Sequence, residues 1–328
     1  MPLLLPDRAS RESPLLLFTK ADAGAHGIDV RARGWHRLRK GVYVDATDFR
    51  ALPPWKRYEV RVHAYLRRHP DAILCLESAA VVHGLPVAGE TRYVHVYDPD
   101  AQRTQCYGDV RVHASATRRE ICRIGGVHAT SLLDTVVDLA RVMQPADALA
   151  VSDAATSPVQ GGALRLDDLI ARGKDGVGSR GRARMRWVWD HTNPLAESPP
   201  ESVSRAVIMW SGYETPVLQR EFRYEGHLDR SDFFFESCDA IGECDGWSKY
   251  QLEDPGTGAL LLAKEKRRED RLRRHGHPFA RWEPGDAWKA RPLCDALDGA
   301  GVRRVATSNP AMLATLRRRP RALPTPRP

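Results

Sequence analysis

Apolar and polar positions divide the chain into three blocks. Residues 15–27, LLLFTKADAGAHG, carry apolar positions at helical spacing and stop at a glycine, which predicts a helix. IDVRARGWHRL (28–38) predicts a second short helix, and RLRKGVYV (37–44), alternating and β-branched at its end, predicts a strand. A Pro53-Pro54 break opens the second block, with a helix over 55–69, an apolar stretch over 73–86, strands over 93–97 and 110–115, and a helix over 131–143. Glycines among basic residues then mark a loop, and NPLAESPP (193–200) opens the third block. There ESVSRAVIMWSG predicts a helix, VLQREFRYEGHLDRSDFFFES and DAIGECDGW predict strands, and residues 259–275 a basic helix before the strand HPFARWE.

The pattern is that of an α/β (α+β) protein. It gives an N-terminal winged helix-turn-helix (1–50), a middle α+β domain (51–160), a basic Gly-rich linker region (161–194), a third domain (195–307) and a Pro/Arg tail (308–328) expected to be disordered. Helix-turn-helix plus a β wing is a DNA-reading arrangement, and it puts Arg31, Arg33, Arg37, Arg39 and Lys40 where phosphate would be met. The bland alternative is a small helical domain with solvated arginines. The middle block offers no comparable chemistry. His83, His95, His113 and His128 include no two at ligand spacing, which suits core or surface histidines.

The third block carries the candidate chemistry. Glu201 stands at the last position of a Ser-x-x-Glu capping box with Pro199 at the first helical position, or it is an acid aimed at a site; the two roles are compatible. A hairpin centred between Ser237 and Cys238 sets Asp232 opposite Glu243, and Asp245 follows on the same face. Facing carboxylates repel unless solvated or bridged by a cation, and ligation by oxygen alone suits Mg²⁺ or Mn²⁺. The alternative is three exposed acids on a hairpin. Beside them the helix over 259–275 carries Lys264, Lys266, Arg267, Arg268, Arg271, Arg273 and Arg274. These would dock a phosphodiester backbone, or pair internally with Glu265, Glu269 and Asp270.

Composition narrows the classes. The 328 residues are 42% hydrophobic and 28% charged, which excludes a wholly disordered chain. No apolar run approaches the ~18 residues of a membrane span, and MPLLLP followed by Asp7 and Arg8 is not the pattern of a signal peptide. The six cysteines include no CxxC pair and read as reduced thiols of a cytoplasmic protein. A net charge of +8 and an isoelectric point near 9.3 point to a polyanionic partner.

The stretches PPESVSR, SDF around Asp232, GECDGWSKY and EKRREDRLRRHGHPFARWE resemble, in order and spacing over about 195–290, the DUF559 family, which is similar to very-short-patch-repair endonucleases of the PD-(D/E)XK superfamily. The resemblance implies a restriction-endonuclease-like mixed sheet flanked by helices, with acids binding a divalent cation. Carried over by position, Glu201 is the acid of the first helix, Asp232 that of the second strand and Glu243 that of the next. Asp245 stands where the superfamily usually has lysine, and Arg268 and Arg281 match arginines of the basic helix and the following strand. Without that lysine, Lys249 or Lys264 would have to orient the attacking hydroxide, or the domain does not cut. RLRKGVYV, supported by SAAVVHGLP, resembles the winged helix of AbiEi-type antitoxins, which implies DNA-binding repression. The expected function is a double-stranded-DNA-binding protein, with homodimerisation open, whose third domain hydrolyses phosphodiesters with Mg²⁺ or Mn²⁺. In that reading Glu201, Asp232, Glu243, Asp245 and Lys249 are catalytic, Asp232, Glu243 and Asp245 hold the metal, and Arg268, Arg271 and Arg281 hold DNA. The alternatives are an antitoxin-like regulator on an inactive nuclease fold and a scaffold with solvated charges.

Overall fold

The computed structural model describes residues 4–176, 178–244 and 255–323. The chain is a mixed α+β protein with three sheets. It divides into two compact units: Met1–Met143 with Ala154–Thr192 and Pro320–Pro328, and Gln144–Asp153 with Asn193–Arg319. Among the described residues no helix is long and apolar enough to cross a membrane.

The first unit opens on a single turn, α1 (Leu5–Arg8), and a short helix, α2 (Lys20–Ala25). Thr19 starts α2: its hydroxyl accepts from Asp22 N at 3.2 Å, and Asp22 Oδ2 accepts from Thr19 N at 2.9 Å. The helix predicted over 15–27 is therefore shorter, and Phe18 ahead of it is extended and bridged to Tyr43. The second predicted helix does not form. Residues 28–34 are turns, followed by β1 (Trp35–Arg39) paired antiparallel with β2 (Val42–Asp45). Gly27 and Gly34, both at positive φ, confine Ile28 to Arg33 to less than two helical turns. Asp29 meanwhile accepts from the Arg31 amide at 2.9 Å, a local turn bond that competes with helix. The hairpin expected after residue 34 is therefore present, and the helix expected before it is not.

After α3 (Ala46–Ala51) and α4 (Pro54–Leu66), the strand β3 (Ile73–Leu74) leads into α5 (Leu76–His83), so the apolar stretch 73–86 is strand and helix in turn. β4 (Val94–Tyr97), β5 (Gln105–Tyr107), β6 (Val110–His113), β7 (Ile121–Ile124) and β8 (Val127–Thr130) complete a six-stranded sheet ordered β5-β6-β4-β3-β8-β7. Tyr58, Val62, Leu74, Val82, Val94 and Ala129 belong to its buried core. α6 (Leu132–Val142) is capped by Ser131, and α7 (Pro145–Thr156) runs across the boundary between the units. The region expected to be a linker is folded into α8 (Leu166–Lys174) and α9 (Arg182–His191). Arg172 fixes it by donating to Asp134 at 2.6 Å.

The second unit orders helix, three strands, helix, strand: α10 (Pro199–Trp210), β9 (Val217–Tyr224), β10 (His227–Phe235), β11 (Ala240–Cys244), α11 (Pro255–Arg274) and β12 (Phe279–Trp282). β9, β10 and β11 are antiparallel neighbours, and β12 adds parallel to β11 after the α11 crossover. Alternation gives the sheet two apolar faces. Phe222, Phe234 and Ile241 meet Leu272 of α11 on one face. On the other, Trp282 stacks on Phe233 with centroids 5.5 Å apart and donates Nε1–H to Ser204 of α10 at 2.8 Å. α12 (Pro284–Lys289), α13 (Arg291–Gly299) and α14 (Pro310–Leu313) follow, so the segment expected to be disordered from 308 is ordered as far as Leu323.

Candidate functional site

β11 places the central side chain of the candidate site. The observed hairpin pairs Phe233 with Gly242, Phe234 with Ile241 and Phe235 with Ala240. Continued by one step, this register sets Asp232 opposite Glu243, as the spacing predicted. Glu243 shares the α11-facing side of β11 with Ile241 and is 3% exposed. Asp232 reaches across the strand pair, its Oδ2 accepting from the Cys244 amide at 3.1 Å. Asp245 and Lys249 lie outside the described residues.

Glu243 is clamped by two guanidinium groups. Arg281 stands directly beside it in the parallel β11–β12 register and donates Nη2–H to Oε2 at 2.6 Å. Arg268 of α11 donates to the other oxygen, Oε1, and holds Glu265 at 2.7 Å and the Arg230 carbonyl at 2.9 Å. Burial works against the charge on Arg268, but the hydrogen bonds of Glu265 and the charges of Glu243 and Glu265 outweigh it and hold its pKa above the usual arginine value. Arg281 also approaches Glu265 at 3.5 Å and Glu269 at 3.1 Å, and Glu269 accepts from Arg273 at 2.7 Å. Within the basic helix Lys266, Arg268 and Arg273 meet Asp270, Glu265 and Glu269, the internal pairing the sequence left open, while Arg271 and Arg274 pair with acids outside it.

Of the other arginines expected to hold DNA, Arg271 is committed to Asp229 through two bonds of 2.7 Å. Arg39 is half-buried against Asp109 at 2.9 Å with its guanidinium 4.9 Å from the Tyr65 ring centroid. Arg39, Arg268, Arg271 and Arg281, expected to hold DNA, thus each face a carboxylate within the protein. Arg31, Arg33, Arg37 and Lys40 are exposed, as are Lys264 and Arg267, and none of these six holds an ion pair among the described residues.

Ser198 caps α10, its hydroxyl accepting from the Glu201 amide at 3.4 Å, and the Glu201 side chain folds back on that helix start. Ser198 donates to Glu201 Oε1 at 2.6 Å, while Oε2 accepts from Glu197 N at 3.0 Å and from Gln219 Nε2 of β9 at 3.3 Å. Gln219, with φ of 55°, marks a break in strand alternation that the sequence reading missed. Asp229 and Phe234 are five residues apart yet both meet α11. The break turns Asp229 toward Arg271, and strict period-two reading assigns Asp229 to the opposite face from Phe234. Glu265, named from the sequence as an internal partner of the basic helix, pairs with Arg268 at i,i+3.

No three His, Cys, Asp or Glu side chains among the described residues gather closely enough to hold a metal ion, and both oxygens of Glu243 face guanidinium donors. The arrangement is a charge-balanced, half-buried lattice of carboxylates and arginines.

No family model matches the chain, and no solved structure matches it. It is 27% identical over 206 residues to the uncharacterized protein MT2308 of Mycobacterium tuberculosis strain CDC 1551 / Oshkosh, a stretch covering 62% of this chain and 72% of that protein. The same figures hold for the uncharacterized protein Rv2248 of Mycobacterium tuberculosis strain ATCC 25618 / H37Rv.

Proposed function

We propose that this chain is a cytoplasmic, double-stranded-DNA-binding protein whose second unit uses an endonuclease-like framework to hold DNA without cutting it, as an antitoxin-like regulator would. The observation that carries this reading is the double clamp on Glu243. A carboxylate with one guanidinium on each oxygen has its charge met and offers no open oxygen to a cation. Support for DNA as partner comes from the net charge of +8 and from the exposed, unpaired set Arg31, Arg33, Arg37, Lys40, Lys264 and Arg267. The six cysteines are free thiols, in keeping with a reducing compartment.

A second reading is hydrolysis of phosphodiester bonds with Mg²⁺ or Mn²⁺. One observation favours it: the register of β10 on β11 sets Asp232 opposite Glu243, with Asp245 two residues beyond. The two readings separate in one experiment. Purified protein is incubated with supercoiled and with mismatched duplex DNA in Mg²⁺, Mn²⁺ or EDTA, and binding and nicking are followed together. Metal-independent retention of uncut DNA is expected. Nicking that needs Mg²⁺ or Mn²⁺ and is lost in Asp232→Ala would establish the second reading, and absence of any DNA retention would refute both.

A further inference from the structure

The Pro/Arg-rich segment after Leu316, as far as it is described, runs back onto the first unit, where it meets residues 90–92, the extended approach to β4, through a short antiparallel bridge. Arg92 N donates to Arg321 O at 2.8 Å, Leu323 N donates to Glu90 O at 2.7 Å, and Ala322 bridges Thr91 antiparallel. The receiving residues are held in turn by Arg61, which donates to the carbonyls of Thr91 and Arg92 at 2.7 and 2.8 Å.

One side chain of the segment goes inward. Arg321 places Nε and Nη2 on the two oxygens of Glu77, the second at 2.6 Å, and Nη2 also reaches His95 Nε2 at 3.2 Å. Glu77 is 2% exposed and His95 1%. A guanidinium can only donate, so His95 Nε2 is the acceptor and its proton sits on Nδ1, where it is given to His113 Nε2 at 2.8 Å. Ser78 holds the His95 amide at 2.8 Å and is itself hydrogen-bonded to Tyr58, fully buried on α4. Every wall of this socket therefore belongs to the core of the unit, built without help from the segment that fills it.

The segment itself is a poor core element. Pro320 and Leu323 are exposed, and Ala322 is too small to anchor anything. Among the described residues its attachment is a few backbone hydrogen bonds, which any extended peptide can make, plus one half-buried arginine. That is the anatomy of a recognition site with a single anchor residue.

We propose that Glu77 and His95 form a guanidinium-reading socket for extended peptides of the pattern Arg-small-apolar, and that residues 320–323 are its resident, exchangeable occupant. The planar fork of Arg321 meets both oxygens of the carboxylate and the imidazole in one fixed geometry, whereas an ammonium is a point donor without that two-point fit. The inference stands apart from DNA binding and uses none of its residues.

The test uses the full chain as Arg321→Ala and a fluorescent peptide with the sequence of residues 317–328. The peptide is expected to bind Arg321→Ala saturably and about tenfold or more tightly than it binds wild type, whose socket is filled. Citrulline or lysine at the position of Arg321 in the peptide is expected to remove that gain while leaving its other arginines in place. Equal binding to both proteins, or equal binding of the citrulline peptide, would overturn the proposal. Should Arg321→Ala fail to fold, hydrogen exchange on wild type decides. Amides of Arg92 and Leu323 exchanging faster than those of α5 support an exchangeable occupant, and exchange at the rate of α5 makes the segment a fixed part of the fold.

Discussion

Asp153 is fully buried, and Arg205 meets it at 2.5 Å while the Asn193 amide donates to its other oxygen at 2.8 Å. A buried pair of this kind adds little over a well-packed apolar pair, but removing one partner strands a charge. Arg205→Ala is expected to lower the unfolding free energy by about 3–5 kcal/mol in urea melts, with part of the loss recovered in Arg205→Ala/Asp153→Asn. The socket around Glu77 gives a pH prediction. Burial would raise the Glu77 carboxyl, but Arg321 and then His95 draw it down to about 2, so its stabilising effect is full above its ordinary range and lost as pH falls toward 2. His95 and His113 are pushed down to about 3 and about 4, chiefly by burial and then, against the opposing pull of Glu77, by Arg321 and Arg111. The unfolded chain takes up those protons near pH 6.5 and the folded chain does not, so the histidines also cost stability on acidification. Thermal melts are expected to fall steadily from pH 6.5 to pH 4, by on the order of a few kcal/mol, and His113→Asn is expected to flatten that slope. The residues responsible were visible in the sequence as isolated histidines without ligand spacing. Their partner Arg321 lies 226 residues from His95 along the chain, which no local pattern reports.

Elements were legible where a local rule and the tertiary environment agree. The hairpin of β10 and β11 is one such case, since a two-residue period on both strands fixes the register once the turn is placed. α10 is another, because Ser198, Pro199 and Glu201 state its start in full. Ser198→Ala is expected to cost about 1 kcal/mol in denaturant melts, the usual loss of an N-cap, and to leave Glu201 Oε1 without its hydroxyl donor. The rule failed at residues 28–38, where Gly27 and Gly34 leave a segment too short to nucleate a helix, and across β9 and β10, where Gln219 takes a positive φ and Asp229 and Phe234 do not follow a two-residue period. Gly84 shows how much an element can rest on one residue. It closes α5 at φ 75°, and the Leu5 carbonyl lies so near that a Cβ there would overlap it. Gly84→Ala is expected to destabilise by more than the ~1 kcal/mol of an ordinary left-handed substitution, because α1 would have to move as well. A larger loss in Gly84→Ala than in Gly41→Ala, whose Cβ meets nothing within 4 Å, checks this.

At the scale of the whole molecule, the excess of basic residues matters only where it is unspent. Much of the arginine in the second unit is balanced in place: Arg268, Arg271, Arg273 and Arg281 each face a carboxylate. Opening those contacts for phosphate would expose Glu243 and Asp229, both nearly buried, to a second anion, which is unfavourable. Arg31, Arg33 and Lys40 carry no such debt, and they stand in and beside the β1–β2 wing region. Each phosphate they neutralise releases condensed counterions, with a slope of about 0.9 in log K against log salt. Arg31→Ala/Arg33→Ala/Lys40→Ala is therefore expected to weaken duplex binding at low salt and to reduce the slope by about 2–3, without lowering the melting temperature. Arg39→Ala is expected to do the reverse: it breaks the contact with Asp109 and uncovers Tyr65, lowering stability while the salt slope stays as in wild type. Fluorescence anisotropy of a labelled duplex across a potassium chloride series, paired with melts of the same proteins, measures both. An unchanged slope in the triple variant would remove Arg31, Arg33 and Lys40 from the proposed DNA interface and leave Arg37, Lys264 and Arg267 to account for any binding.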